Sequence, residues 1–178
     1  MDILRILPFE GLNTIKLGMT QAEIAAILGP PVDVHWEDCM AYDDINYTIS
    51  FRNDRAWEIC VNNYSLSDRY RVMLHDVDLF GDKAEDVIRK LERFTPCTYE
   101  GDADKDLAFG YTFPAWNIRL WRDGAFHPKL MQDPEFLEFI AVQEENLEYE
   151  MRFWYFLSVA VYDDTDRKST RLNSSHRT

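Results

Sequence analysis

Residues 12–31 read LNTIKLGMTQAEIAAILGPP, and this stretch carries the clearest structural signal in the chain. Thr20 followed three residues later by Glu23 is a capping-box pattern, in which each side chain accepts a hydrogen bond from a free N–H at a helix start. The Gly-Pro-Pro sequence at 29–31 cannot continue a helix and ends it. The stretch therefore predicts a helix over residues 20–28. Its apolar face consists of Ile24, Ile27 and Leu28.

Two segments with alternating side chains follow that helix. Residues 45–51 alternate between apolar and polar side chains, and residues 57–62 do so again after the turn-forming pair Asn53-Asp54. A period of two with β-branched and aromatic residues is typical of a half-buried strand. We therefore predict a β-hairpin with one face in the core.

The same order recurs 62 residues later. LHDVDLFGDKAE, from Leu74, matches LNTIKLGMTQAE, from Leu12, at six positions, and the match places Asp82 as the cap of a second helix. A second strand pair follows over 109–120, with a turn predicted at Arg122-Asp123-Gly124. When the two segments are aligned with this offset, however, charged residues of the second helix align with apolar residues of the first. The pattern thus predicts either two fused repeats, about 1–65 and 66–165, or one domain without duplication.

The remainder of the chain predicts a third helix and a further strand. Asp133-Pro134-Glu135 is a typical helix start, with a capping Asp and Pro in the first turn. Residues 153–162 are rich in aromatic and β-branched residues and favour a central strand, although a helix running through the stretch fits as well. The predicted fold class is α+β, with two helix-then-hairpin units whose helices pack on an antiparallel sheet, in a domain over 1–165.

The last thirteen residues differ from the rest. Residues 166–176, DRKSTRLNSSH, resemble one reading frame of a common sequencing-library adapter, so we interpret 166–178 as a non-native tail. A natural basic tail is the alternative. Residues 1–165 then contain 15 Lys and Arg and 31 Asp and Glu, a net charge of −16, against −13 for the whole chain.

Charge and composition limit the classes of partner. A strongly acidic chain repels nucleic acid and anionic membrane surfaces and favours a basic protein partner, although solubility alone also explains the charge. The longest apolar run, 153–161, is far shorter than the ~20 residues that cross a membrane. The three cysteines form no C-x-x-C pair, and no secretory signal is recognisable at the start. We therefore expect reduced thiols in a cytoplasmic protein.

Neither a metal nor a cofactor is predicted. Asp102, Asp104 and Asp106 have the spacing of a calcium loop, but Leu107 stands where that loop needs Gly and Phe113 where it needs Glu. A solvated acidic loop is therefore the favoured interpretation. His35, Asp38 and Cys39 lie close together without a second cluster to complete a zinc site.

The segment FEGLNTIKLGMTQAEIAAILGPP resembles a motif of small bacterial proteins: a short strand, Leu-Gly-Met, a capping Thr, a helix, then Leu-Gly-x-Pro. Similar segments occur in outer-membrane assembly lipoproteins of the BamE/SmpA type and in β-lactamase-inhibitor-like proteins, which are tandem repeats of helices on an antiparallel sheet. The chain also resembles, more loosely, uncharacterised proteins encoded among toxin-immunity genes. The resemblance implies a fold more than a function. The chain differs from the lipoproteins, because no signal and no lipid-attachment cysteine are recognisable near its start.

Together these observations favour a non-enzymatic acidic binding protein, such as an immunity or inhibitor protein that neutralises a basic partner. A BamE-like assembly module, or an enzyme with an unrecognised carboxylate site at Asp38, Asp43 or Asp44, remains an alternative. An exposed tryptophan would anchor the partner, and Trp121 is predicted to be either such an anchor or a buried structural residue. The candidate partner-binding residues are Trp36, Glu37, Asp38, Asp43, Asp44, Asp102, Asp104, Asp106 and Trp121.

Overall fold

The computed structural model describes residues 2–36, 38–42, 46–63, 70–142 and 146–164, without the side chains of residues 35, 36 and 146. The predicted tail at 166–178 lies outside the described residues. The helices are α1 (Gln21–Leu28), α2 (Ala84–Leu91), α3 (Pro134–Ala141) and α4 (Asn146–Met151). The strands are β1 (Asp2–Leu7), β2 (Gly11–Leu12), β3 (Ile15–Lys16), β4 (Asp33–Trp36), β5 (Cys39–Tyr42), β6 (Tyr47–Arg52), β7 (Arg55–Asn62), β8 (Tyr70–Leu74), β9 (Val77–Asp78), β10 (Thr98–Glu100), β11 (Gly110–Phe113), β12 (Ile118–Trp121) and β13 (Ser158–Tyr162).

The predicted capping box at α1 is confirmed. The Thr20 hydroxyl accepts a hydrogen bond from the Glu23 N–H at 3.2 Å, and the Glu23 carboxylate accepts one from the Thr20 N–H at 2.8 Å. Gly29 caps the other end with a φ of 83°, in the left-handed region that favours glycine. Of the predicted apolar face, Ile24 is fully buried and fixes α1 on the core, whereas Ile27 is exposed.

The predicted cap of the second helix is wrong. Lys83, not Asp82, precedes α2, and its side chain makes no capping hydrogen bond. The Asp82 carboxylate instead accepts a hydrogen bond from Lys90 Nζ at 2.6 Å, near the other end of the helix. The apolar face of α2 is nonetheless the more deeply buried of the two: Ala84, Val87, Ile88 and Leu91.

The strands form two sheets rather than one. The larger sheet is antiparallel throughout, in the order β10-β11-β12-β13-β7-β6-β5-β4. It consists of two four-strand meanders, each consecutive in the chain, joined where β7 pairs with β13. The smaller sheet has the order β3-β2-β1-β8-β9, and β1 pairs with β8 in parallel. The chain is therefore α+β and mostly strand, and the expectation of a single antiparallel sheet is corrected.

Both predicted hairpins are present, as β6–β7 and β11–β12. Asn53 and Asp54 have φ of 51° and 57° at the first turn, as a two-residue hairpin loop requires. The inward side chains of both hairpins join one core cluster with residues of α1, α2 and the smaller sheet. The opposite face of the larger sheet carries small and polar side chains, including Thr48, Ser158 and Arg119. That outer face is where the candidate site lies.

The central strand predicted at 153–162 is confirmed only over β13, residues 158–162. Residues 152–154 form a 3₁₀ turn instead. The reason is that the Phe153 carbonyl is occupied by other donors, accepting hydrogen bonds from the Phe126 N–H at 3.3 Å and from Arg122 Nη1 at 3.0 Å.

Arg122, predicted to lie in a turn, is buried, with 1% of its surface exposed. Its guanidinium donates to the carbonyls of Asp106 at 2.6 Å, Ala108 at 2.9 Å and Phe153 at 3.0 Å. Burial away from water lowers the pKa of this guanidinium. Arg122 thus holds together the end of β12, the loop before β11 and the segment before β13.

Candidate functional site

The acidic loop between β10 and β11 contains three of the predicted binding residues. The Asp102 carboxylate accepts a hydrogen bond from the Asp104 N–H at 2.7 Å, and the Asp104 carboxylate accepts one from the Asp106 N–H at 3.0 Å. Lys129 Nζ lies 2.5 Å from Asp104 Oδ2 and 3.0 Å from Asp106 Oδ2. Two of the three carboxylates therefore already have a cation, and the loop presents less free charge than its sequence suggests.

The stabilisation from the ion pair with Lys129 is expected to depend on pH. The hydrogen bond from Lys129, and secondarily the Asp106 N–H, hold the pKa of the Asp104 carboxyl below its ordinary value. Because the folded pKa is lowered, the stabilisation is present above the ordinary pKa and is lost as pH falls through the folded value. We expect Lys129→Met to raise the Asp104 pKa, as followed by NMR titration of its carboxyl carbon.

Lys90→Met is the matched control for that titration, because Lys90 pairs with Asp82 and not with this loop. An Asp104 titration that is unchanged by Lys129→Met, or shifted equally by both variants, would contradict the assignment.

The remaining predicted residues are not gathered at this loop. Asp38 is exposed in the turn between β4 and β5, and its carbonyl accepts a hydrogen bond from the Phe51 N–H at 2.6 Å. In the larger sheet, β13, β7 and β6 separate β5 from β12, which carries Trp121. The backbone of Trp36 belongs to β4, but its side chain is outside the description. Glu37, Asp43 and Asp44 lie outside the described residues.

Trp121 lies on the outer face of the larger sheet with 36% of its surface exposed. Gly110 pairs with Trp121 on one side and with Glu100 on the other, so the three residues form one row across β12, β11 and β10. A Cβ atom at Gly110 would lie 3.0 Å from Glu100 Cγ and 3.1 Å from Trp121 Cε3. The missing side chain therefore allows the Glu100 carboxylate and the indole ring to approach each other over the glycine.

Glu100 and Trp121 line a pocket of about 230 Å³. Its other side is formed by Glu58 and Arg119, whose side chains form an ion pair at 2.6 Å. No Lys or Arg in the described part of the chain forms an ion pair with Glu100. The pocket thus combines an exposed indole with one uncompensated carboxylate, which is the arrangement that attracts a cation.

Cys60 also lines this pocket. Burial raises the pKa of its thiol to about 12, with the Glu58 carboxylate adding to the effect. The thiolate is the nucleophilic form of cysteine, and this thiol stays protonated at neutral pH. Cys60 is therefore a poor nucleophile at neutral pH.

A second cavity, of about 400 Å³, lies between α2 and the acidic loop. Its carboxylates are engaged within the protein: Glu92 pairs with Lys105 at 2.5 Å, Asp86 pairs with Arg89, and Glu85 accepts hydrogen bonds from Trp154 Nε1 at 2.8 and 2.9 Å. These contacts join α2 to the loop and to the segment before β13. The charged residues that line this cavity therefore form a structural network of ion pairs and hydrogen bonds.

The described residues contain no group of three or more His, Cys, Asp or Glu side chains that could hold a metal ion. Over the same ranges, no helix has the length and apolar character needed to span a bilayer. The cysteines 39, 60 and 97 are all free thiols.

Sequence reasoning identified Trp121 but missed Glu100 and Gly110, which complete the pocket. A glycine inside an alternating strand, as Gly110 is, often marks a close approach of another group and was the available signal.

Comparison of the chain with protein-family models, with curated proteins and with solved structures found no match. Function is therefore inferred from the geometry of the surface itself.

Proposed function

We propose that this chain is a non-enzymatic acidic binding protein that captures a basic protein partner, as an immunity or inhibitor protein does. The observation that carries the proposal is the Trp121–Glu100 pair over Gly110. An exposed tryptophan in a shallow pocket is a common anchor of protein interfaces, and the adjacent carboxylate selects a Lys or Arg side chain. The net charge of −13 adds long-range attraction for a basic partner.

The chain already contains this combination of groups within its own fold. Lys83 Nζ lies 3.5 Å from the ring centroid of Trp154, and Trp154 Nε1 donates a hydrogen bond to the Glu85 carboxylate. An indole in this protein therefore already holds an ammonium over its ring with a carboxylate beside it. At Trp121 the indole and the carboxylate are present, and the partner would supply the cation.

The proposal is tested with a fluorescein-labelled nona-arginine peptide and fluorescence anisotropy. We expect Trp121→Ala to weaken binding about tenfold, which corresponds to about 1.4 kcal/mol and lies between the values of an exposed and of a desolvated cation–π contact. Because this change leaves the net charge of the protein unaltered, general electrostatic attraction does not explain such a loss. Glu100→Gln is expected to weaken binding as well, and all binding should decrease as salt is raised.

Two matched controls accompany these variants. Phe94→Ala removes another exposed aromatic side chain, 53% exposed, on the segment after α2. Asp2→Asn removes one exposed carboxylate at the start of β1. Equal losses in the variants and in their controls would leave only non-specific charge attraction and overturn the proposed function.

We further infer that the chain contains two repeats, about 1–65 and 66–165. The two four-strand meanders that meet at β7 and β13 support this inference. A second support is that Asn13 and His75, which are 62 residues apart, turn their hairpins with φ of 50° and 53°. The repeats would place the same helix-then-meander unit on both sides of the central pair of strands.

A further inference from the structure

The helix α3 contributes no fully buried residue to the protein. Phe136 and Ile140 are half-buried, and Phe136 packs against Phe126 with ring centroids 6.1 Å apart. Successive residues of a helix are 100° apart, so these two residues define a narrow inward strip. Most of the circumference of α3 therefore faces away from the core.

The outward side of α3 mixes apolar and acidic side chains. Leu137 is 40% exposed, and Val142, which caps the helix, is 78% exposed. Around the helix, the exposed Glu138 lies between these two residues, and the exposed Glu135 lies on the far side of Val142. We call these four residues the α3 outer face. Apolar side chains at this exposure, on a helix that buries so little, leave apolar surface that a partner can cover.

The sequence around α3 carries charge of one sign. Residues 130–151 contain seven Asp and Glu and no Lys or Arg. A second copy of this chain would bring carboxylates against carboxylates there, so charge opposes self-association through this face. A partner with Lys or Arg side chains around an apolar surface matches both features.

We propose that the α3 outer face is a docking surface for a basic amphipathic segment of a partner protein. The apolar side of that segment covers Leu137 and Val142, and its Lys or Arg side chains contact Glu135 and Glu138. This inference rests on the proposed function, because both surfaces take a basic partner. It differs in requiring apolar contact on α3, which a cation at Trp121 does not need.

The test uses two labelled peptides of equal charge and length. One is an amphipathic helix of Leu and Lys, and the other has Ser at every Leu position. We expect the Leu–Lys peptide to bind at least tenfold more tightly than the Ser–Lys peptide. The double variant Leu137→Ser/Val142→Ser should abolish that difference, with the Ser–Lys affinity unchanged. Glu135→Gln/Glu138→Gln should weaken binding of both peptides.

Ile27→Ser is the matched control, since Ile27 is 47% exposed on α1 and equally apolar. The proposal is overturned if the Leu–Lys peptide binds the α3 double variant as well as the wild type, or if Ile27→Ser weakens binding equally. Sedimentation that shows self-association lost in the double variant would instead identify a second copy as the occupant and also overturn it. Circular dichroism checks that each variant keeps its helix content.

The Trp121→Ala variant in the same assay separates the two proposals. If Trp121→Ala weakens nona-arginine binding but the α3 variants leave Leu–Lys binding intact, the docking surface on α3 is wrong and the proposed function stands. If the α3 variants alone have an effect, the Trp121 pocket is not the anchor and the α3 outer face stands as the binding surface.

Discussion

Replacing Arg122 with methionine is expected to lower the free energy of unfolding by about 3–5 kcal/mol, because three backbone carbonyls lose a buried donor at once. The carbonyls of Asp106, Ala108 and Phe153 all accept hydrogen bonds from this guanidinium. Methionine has a similar volume and no donor, so the Asp106 and Ala108 carbonyls would lose their hydrogen bond, and the Phe153 carbonyl would keep only the one from the Phe126 N–H. Urea unfolding monitored by tryptophan fluorescence measures the loss.

Two further variants make that measurement specific. Arg122→Lys keeps a charge but lacks the planar fork that reaches three carbonyls, so we expect it to be destabilising as well. Arg89→Met is the matched control, because the Arg89 side chain is 74% exposed in its pair with Asp86 and such pairs contribute little. An Arg122→Met protein within 1 kcal/mol of the wild type would contradict the role given to Arg122.

Gly11→Ala is expected to lower the free energy of unfolding by about 2–4 kcal/mol. Gly11 lies in β2 with a φ of 146°, and a Cβ atom there would lie 2.2 Å from the Ile15 carbonyl oxygen and 2.9 Å from the Lys16 Cα. Both of these are backbone atoms of β3, which cannot rotate away as a side chain can. The β2–β3 hairpin would therefore have to separate.

Gly18→Ala is the control for the clash. Gly18 has a φ of 82°, but its Cβ position has no atom within 4 Å, so alanine meets only the backbone penalty of about 1 kcal/mol. The difference between the two variants, measured by chemical denaturation, isolates the contact with β3. Equal losses would show that backbone conformation alone, and not the approach of β3, requires glycine at position 11.

The features that the sequence predicts correctly are local. Thr20 and Glu23 are three residues apart, and the hydrogen bonds that join them need nothing beyond one helical turn. The hairpin turn at Asn53-Asp54 is equally local, because it depends on two residues that tolerate a positive φ. Neither prediction requires knowing where the rest of the chain lies.

The features that the sequence does not predict depend on distant parts of the chain. Arg122 follows a strand and precedes Asp-Gly, which is a turn pattern, but its donors are used by carbonyls at 106, 108 and 153. Likewise, Glu100 and Trp121 line one pocket because β11 lies between their strands and has glycine at that position. Sequence spacing cannot give such contacts, since strand order decides them.

The pairing of β7 with β13 has a consequence for synthesis of the protein. Residues 55–62 and 118–121 are made well before residues 158–162, so β7 and β12 each have one side without a strand until β13 is available. Exposed strand edges of this kind readily pair with other chains. The period before β13 inserts is therefore when the nascent protein is most exposed to aggregation and most dependent on chaperones.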